Sequence, residues 1–302
     1  MTVHEVEPGA AMLPPVTRHA VQVAGDGGPA GFACDEMLAA EVPVALVFNG
    51  VSHAVMMATP QDIEAFALGF ALSEGILDHP RDCLDIEVRT HSAAQASLPE
   101  GVQAIEAGMT ISTRSFERLK SRRRSMAGRT GCGVCGVESF GGLDLDLQPL
   151  APRRWIDQVD ARAVLRAMAA LPPRQWLNAE AHSLHAAGWA TAEGVLTDVL
   201  EDVGRHNALD KLLGTLARSG RLAEPGFVVL TSRCSHELVR KCARLGIAAM
   251  ATISAPTAMG VRMAELAGVR LWGSCRAPRA VMYAPGLTER PPTHCRDCRT
   301  HG

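Results

Sequence analysis

The chain lacks a long apolar run. Its hydrophobic stretches are short and broken by polar residues, well under the ~20 apolar residues of a membrane-spanning helix. The N-terminus, MTVHEVEPGAAMLPP, lacks the basic start and apolar core of a secretory signal. The chain also lacks an excess of charge of one sign. Its 30 Lys and Arg stand against 32 Asp and Glu, a net charge of −2, so there is no general basic footprint for nucleic acid. Finally, its nine cysteines are odd in number and follow no regular spacing, which excludes a disulfide framework. These absences predict a cytoplasmic chain with free thiols, no membrane insertion and no nucleic-acid partner. Cys34, Cys83 and Cys242 read as small buried or half-buried groups.

Apolar residues are plentiful, at 47 % of 302, enough for one large domain or two modest ones with a sizeable core. The stretch that organises the rest is GRTGCGVCGVESF, Gly128 to Phe140. Cys132 and Cys135 stand among Gly131, Gly133 and Gly136, after a run holding Arg122, Arg123, Arg124 and Arg129. Glycines let another molecule approach the backbone closely. Arginines favour thiolate over thiol, and the thiolate is the nucleophile. The same spacing also suits half of a structural zinc site or a redox pair, and an arginine run also suits a solvated face. The residues alone leave both readings open.

Residues 1–40, rich in Gly, Pro and Ala, read as a flexible lead-in. Residues 41–150 read as an α+β subdomain ending in the cysteine loop. VPVALVF and Val51–Met57 are strands joined by an Asn49-Gly50 turn. A helix starts near Pro60, with Thr59 as its cap and Asp62 in its first turn, and Gly75 ends it. Cys83–Val88 and Thr110–Ile111 are weaker strand candidates, and Arg114–Met126 a basic helix.

Residues 151–288 read as an α/β domain. Asp160 caps a helix through Ala170, stopped by Pro172-Pro173. Strands at Val195–Leu200, Phe227–Leu230, Ile247–Ile253 and Val269–Trp272 then alternate with helices at Asn207–Ala217, Ser235–Leu245 and Ala258–Leu266. Such alternation predicts a mostly parallel sheet with helices on both faces. Ligands of such sheets sit outside the carboxyl ends of the strands. Polar clusters fall there four times. They are Glu201, Asp202, Gly204, Arg205, His206 and Asn207; then Ser232, Arg233 and Ser235; then Ser254, Pro256 and Thr257; then Ser274, Cys275, Arg276 and Arg279. Arginines and helix N-termini at one rim predict an anion site. His206 alone reads as a packed loop residue before a base or a ligand, and Asp202 also reads as a helix cap.

GRTGCGVCGVESF, followed by EDVGRHNALDK at Glu201–Lys211, resembles the FdhD family of formate dehydrogenase accessory sulfurtransferases. Glu41-Val42-Pro43, Asn49-Gly50, SEGI at Ser73–Ile76 and SAPT at Ser254–Thr257 extend the resemblance to roughly Val42–Tyr283. The resemblance implies a sulfur carrier with a cytidine-deaminase-like C-terminal part. Sulfur would come from a cysteine desulfurase as a persulfide on Cys132, with Cys135 assisting. It would go to the molybdenum cofactor, as Mo-bis(molybdopterin guanine dinucleotide), before insertion into the formate dehydrogenase apoenzyme. Ser274, Cys275, Arg276, Ala277, Pro278 and Arg279 would meet the guanine nucleotide end, where GDP would also fit. A homodimer is implied as well.

The chain departs from the family pattern where Ala181-His182-Ser183 replaces TGG, Ser232-Arg233 replaces Gly-Arg, and Ser274 stands where Phe is common. Lost glycines at a phosphate rim narrow the room for backbone approach. The alternative function is a cofactor-binding chaperone with a structural zinc at Cys132 and Cys135. A zinc deaminase ranks last, because no Pro-Cys-x-x-Cys occurs. The tail, residues 289–302, reads as flexible. It holds Cys295 and Cys298 with His294 and His301, a second pair with metal-ligand spacing.

Overall fold

The computed structural model describes residues 11–23, 32–124 and 147–288. Three sheets organise them. A hairpin of β1 (Val16–Val23) and β2 (Phe32–Ala39) comes first, paired antiparallel from Val16↔Ala39 to Val23↔Phe32. These residues are therefore not a loose lead-in. Their strands lie against the short helix α5 (Trp176–Ala181) far along the chain.

The second sheet has the order β4-β3-β6-β5. Here β3 (Val42–Phe48) and β4 (Val51–Ala58) form the expected hairpin, with Asn49 at φ 46° and Gly50 at φ 77° in the left-handed region its turn requires. β5 (Cys83–His91) pairs antiparallel with β6 (Ala104–Ile111), which runs parallel to β3. The short α2 (Ala93–Ala96) joins them, and α3 (Thr113–Arg124) follows. α1 (Ile63–Ser73) starts at Ile63 rather than Pro60, with Asp62 at its N-cap. Thr59 does not cap it but is wholly buried elsewhere.

The third sheet has the order β12-β11-β10-β9-β7-β8. After α4 (Ala161–Ala170), capped as expected by Asp160 Oδ1 accepting from Ala163 N at 2.8 Å, comes β7 (His185–Thr191). β8 (Leu196–Asp202), α6 (Arg205–Arg218), β9 (Gly226–Leu230), α7 (His236–Arg244), β10 (Ala249–Thr252), α8 (Ala258–Ala267) and β11 (Arg270–Arg276) then alternate. β12 (Arg279–Pro285) closes the sheet.

The expectation of a mostly parallel sheet needs correction. β8, β9, β10 and β11 do run the same way, but only β9–β10 and β10–β11 are parallel pairs. β7 lies between β8 and β9 and runs against both, and β12 runs against β11. HAAGWAT, with small residues and one Trp, carries little strand signal of its own. Trp189 is nonetheless buried in the core.

Helices cover both faces. α6, α7 and α8 enclose one core with Leu209, Leu212, Leu213, Leu216, Val228 and Met250. α4, with Ile156 and Val159, encloses the other with Phe227, Val229 and Trp272. Burial on both faces is why β9 reads as a continuous apolar run. α1 is buried almost all round because it lies between the second sheet and α6. No helix among the described residues is long and apolar enough to cross a membrane.

Candidate functional site at the strand ends

The rim at the carboxyl ends of β8 to β11 is built by three helix starts. Gly204, Ser235 and Thr257 are the N-caps of α6, α7 and α8. The loops are stitched to one another. His206 at the start of α6 contacts Glu237 at the start of α7, with Nε2 to Oε2 at 3.1 Å. Thr257 N donates to Cys234 O at 2.9 Å, and Ser274 N to Ser254 O at 3.1 Å. A continuous chain of contacts therefore runs from residue 206 to residue 274.

The Glu201–Lys211 segment divides into two sets of side chains. One set faces inward. Asp202 Oδ2 accepts from Thr59 N at 3.0 Å and meets Lys211 Nζ at 2.8 Å. Its Oδ1 accepts from Gly204 N at 2.8 Å and from Asn207 Nδ2 at 2.9 Å. Asn207 Nδ2 also donates to Met57 O at 2.7 Å, and Val203 N to Thr59 Oγ1 at 3.1 Å. Glu201 is buried and accepts from Leu177 N and Asn178 N, both at 2.9 Å, at the start of α5. Asp202, Asn207 and Lys211 thus join the β4–α1 region to the large sheet. A Cβ at Gly204 would lie 2.9 Å from Asn207 Nδ2, so glycine keeps that turn tight.

The other set stays at the rim. Arg205 and His206 are half-buried, Ser235 likewise, and Arg233 is exposed. Ser235 Oγ donates to Glu237 Oε2 at 3.1 Å. The His206 hydrogen bond, helped by Ser235 and against some burial, holds the Glu237 carboxyl down at about 2. His185 stands opposite Asp202 in the β7–β8 register. Burial, then the nearby charges of Arg205 and His206, lowers its pKa below the ordinary imidazole value. Neither His185 nor Glu237 was expected from the sequence. His185 sits on the strand that pattern reading missed, and Glu237 looks like an ordinary first-turn acid.

The last segment is a tight turn between β11 and β12. Arg276 pairs with Arg279 across it, and a cis peptide joins Ala277 and Pro278. All four residues are exposed. Ser274 holds φ 52° and its Oγ lies 3.4 Å from Tyr283 Oη, while Cys275 is buried and its thiol is pushed up to about 11. The structure thus joins His206 and Ser235 through Glu237, while Arg205 lies near His185. It leaves Arg276 and Arg279 exposed on the separate turn between β11 and β12. Cys132 and Cys135 lie outside the described residues, as do His294, Cys295, Cys298 and His301.

A family model described as the FdhD/NarQ family matches residues 39–289. The chain is 48% identical over 277 residues to the sulfur carrier protein FdhD of Burkholderia cenocepacia, covering 92% of this chain and 95% of that one. It is 49% identical over 248 residues to the sulfur carrier protein FdhD of Chromobacterium violaceum, covering 82% of this chain and 88% of that one. In fold it is similar to the crystal structure of a candidate formate dehydrogenase accessory protein from Desulfotalea psychrophila. The TM-score is 0.65 at 23% identity, with 90% of this chain and 97% of that one covered.

Proposed function

The chain belongs to the FdhD/NarQ family, and from that premise we propose that it is a sulfur carrier and accessory protein for a formate dehydrogenase. The carrying observation is near-half identity to proteins named sulfur carrier over almost the whole chain. Its larger unit is then the cytidine-deaminase-like part that the resemblance implies, and the working form a cytoplasmic homodimer.

The chemistry uses two exchanges. Cys132 thiolate attacks the outer sulfur of a cysteine desulfurase persulfide. The donor S–S bond breaks, the desulfurase cysteine leaves as thiolate, and Cys132 becomes the persulfide. Cys135 thiolate then attacks Cys132 Sγ. A Cys132–Cys135 disulfide forms, and hydrosulfide leaves for the molybdenum cofactor, which is the substrate here. A thiol reductant afterwards returns both cysteines. The bis(molybdopterin guanine dinucleotide) cargo carries phosphates, and the rim suits them. Helix N-termini offer N–H donors, and Arg205, Arg233, Arg276 and Arg279 offer guanidinium forks. The inward bonds of Asp202, Asn207 and Gly204 give those residues the task of holding the loop in place.

The test is an intact mass after incubation with a desulfurase and cysteine. A gain of one sulfur on wild type, absent from Cys132→Ala, is the expected result. No adduct on wild type, or an adduct that persists in Cys132→Ala, overturns it. Stoichiometric zinc held by Cys132 and Cys135 would instead favour a cofactor-binding chaperone with a structural metal.

A further inference from the structure

The β1–β2 ribbon has no core of its own. Among the described residues it is a two-stranded sheet with an unpaired edge on each side, and no residue of β1 or of Ala33–Ala39 is buried. A lone two-stranded ribbon is marginal in water and needs its apolar face covered. Residues opposite each other in the register share a face, as does every second residue along a strand. Thr17 stands opposite Leu38 and Val21 opposite Cys34, so Thr17, Val21, Val23, Cys34 and Leu38 gather on one face. Leu38 is 39% exposed. α5, against which the strands lie, adds Trp176, at 76% the most exposed large apolar side chain among the described residues. Single exposed apolar residues are ordinary, but these fall on two touching elements, and tryptophan is favoured where binding energy concentrates.

Size and charge point to a second copy of this chain as the cover. Two strands of 8 residues each and the 6 residues of α5 fall within the roughly 20–30 residues a side of a standard interface. A twofold contact sets a patch against itself, so a patch of one sign would repel its copy. Here His19 stands opposite Glu36 on the apolar face, and Arg18 meets Asp35 at 3.6 Å on the other. The face therefore meets its own copy with a carboxylate and an imidazole to set against each other.

We propose that the β1–β2 ribbon and α5 are the surface through which two copies of this chain join, the apolar face of each ribbon covered by the other copy. This rests on the homodimer reading and gives that dimer its surface. α5 connects the surface to the strand-end loop, because Glu201, next to Asp202, accepts from Leu177 N and Asn178 N at the start of α5.

The experiment is sedimentation equilibrium of the full chain over a concentration series, with wild type beside Leu38→Asp, Trp176→Ala and Val55→Asp. Leu38 and Trp176 are exposed, so their changes leave the fold intact, as circular dichroism checks. Val55, 58% exposed on β4, is the control. Wild type should be dimeric. Leu38→Asp and Trp176→Ala should each weaken association roughly tenfold or more, the scale of one central interface contact. Val55→Asp should associate as wild type does. A wild-type dimer that withstands Leu38→Asp or Trp176→Ala unchanged, or that Val55→Asp breaks, overturns the proposal and leaves the homodimer standing. A monomeric wild type overturns both. Loss of sulfur uptake from the desulfurase in Leu38→Asp would then assign the face to that partner.

Discussion

Lys211 and Asp202 form an ion pair with no exposed surface on either side chain, 2.8 Å from Nζ to Oδ2. Lys211 Nζ also donates to Thr59 O at 3.1 Å and Glu201 O at 3.2 Å. The pair therefore ties the β4–α1 connection to the end of β8, and it fixes the loop from which Arg205 and His206 reach the rim. Lys211→Met leaves Asp202 buried without its cation. Loss of about 3–5 kcal/mol of stability is expected, read from urea unfolding followed by circular dichroism. Lys211→Met combined with Asp202→Asn should recover part of that loss, because no lone charge remains.

The α1–α6 crossing depends on two glycines. A Cβ at Gly214 would lie 1.8 Å from Ala65 O, and a Cβ at Gly69 would lie 1.8 Å from Asp210 O. Neither neighbour is a movable side-chain tip. Gly214→Ala must push the helices apart, at a cost of about 1–3 kcal/mol or more. A lower thermal midpoint with unchanged helix content is the expected outcome.

Beside that crossing, Lys241 Nζ meets Asp210 Oδ2 and Glu74 Oε1, each at 2.8 Å, and Arg240 meets Glu74 at 2.7 Å. Burial works to raise the Glu74 pKa, but Lys241 and Arg240 outweigh it and hold it well below 4.5. A depressed carboxyl stabilises the fold above its unfolded value and loses that contribution as pH falls. Wild-type stability should therefore decline as pH drops below about 4.5. Glu74→Gln should be weaker at neutral pH yet decline less steeply in acid. Urea midpoints at several pH values check both.

The buried cysteines are poor nucleophiles. Burial pushes the Cys234 thiol up to about 12 and the Cys275 thiol to about 11, and raises Cys242 well above its ordinary value. Iodoacetamide at pH 8 should leave these three unmodified in native protein and modify them in urea, as read by peptide mass mapping. Rapid native labelling at Cys234 would contradict its burial.

Arg276 and Arg279 stand exposed on the turn between β11 and β12. If the rim binds a guanine nucleotide as proposed, Arg276→Ala or Arg279→Ala should weaken GDP binding roughly tenfold, the scale of one charge-assisted contact, with the unfolding midpoint unchanged. Wild-type affinity in both would remove the turn from the site.

Much of the fold is legible in the residues. The Asn49-Gly50 hairpin, the Asp160 cap and the β8-to-β11 alternation rest on local rules, in which a turn, a cap or a period is set by neighbours in sequence. β7 escaped because its small residues owe their strand state to β8 and β9 on either side. The β1–β2 hairpin escaped because Gly and Pro nearby mask strands that, among the described residues, pair with each other alone.

The family and its cysteine motif are fixed by the order of residues alone, because long motifs in sequence need no geometry to be read. Which members of Glu201–Lys211 face the rim was decided only by folding. Asp202, Asn207 and Lys211 point inward because a distant turn, at Met57 and Thr59, supplies donors and acceptors that local sequence does not show. The pairing of His206 with Glu237, 31 residues away, is likewise a product of two helices starting side by side.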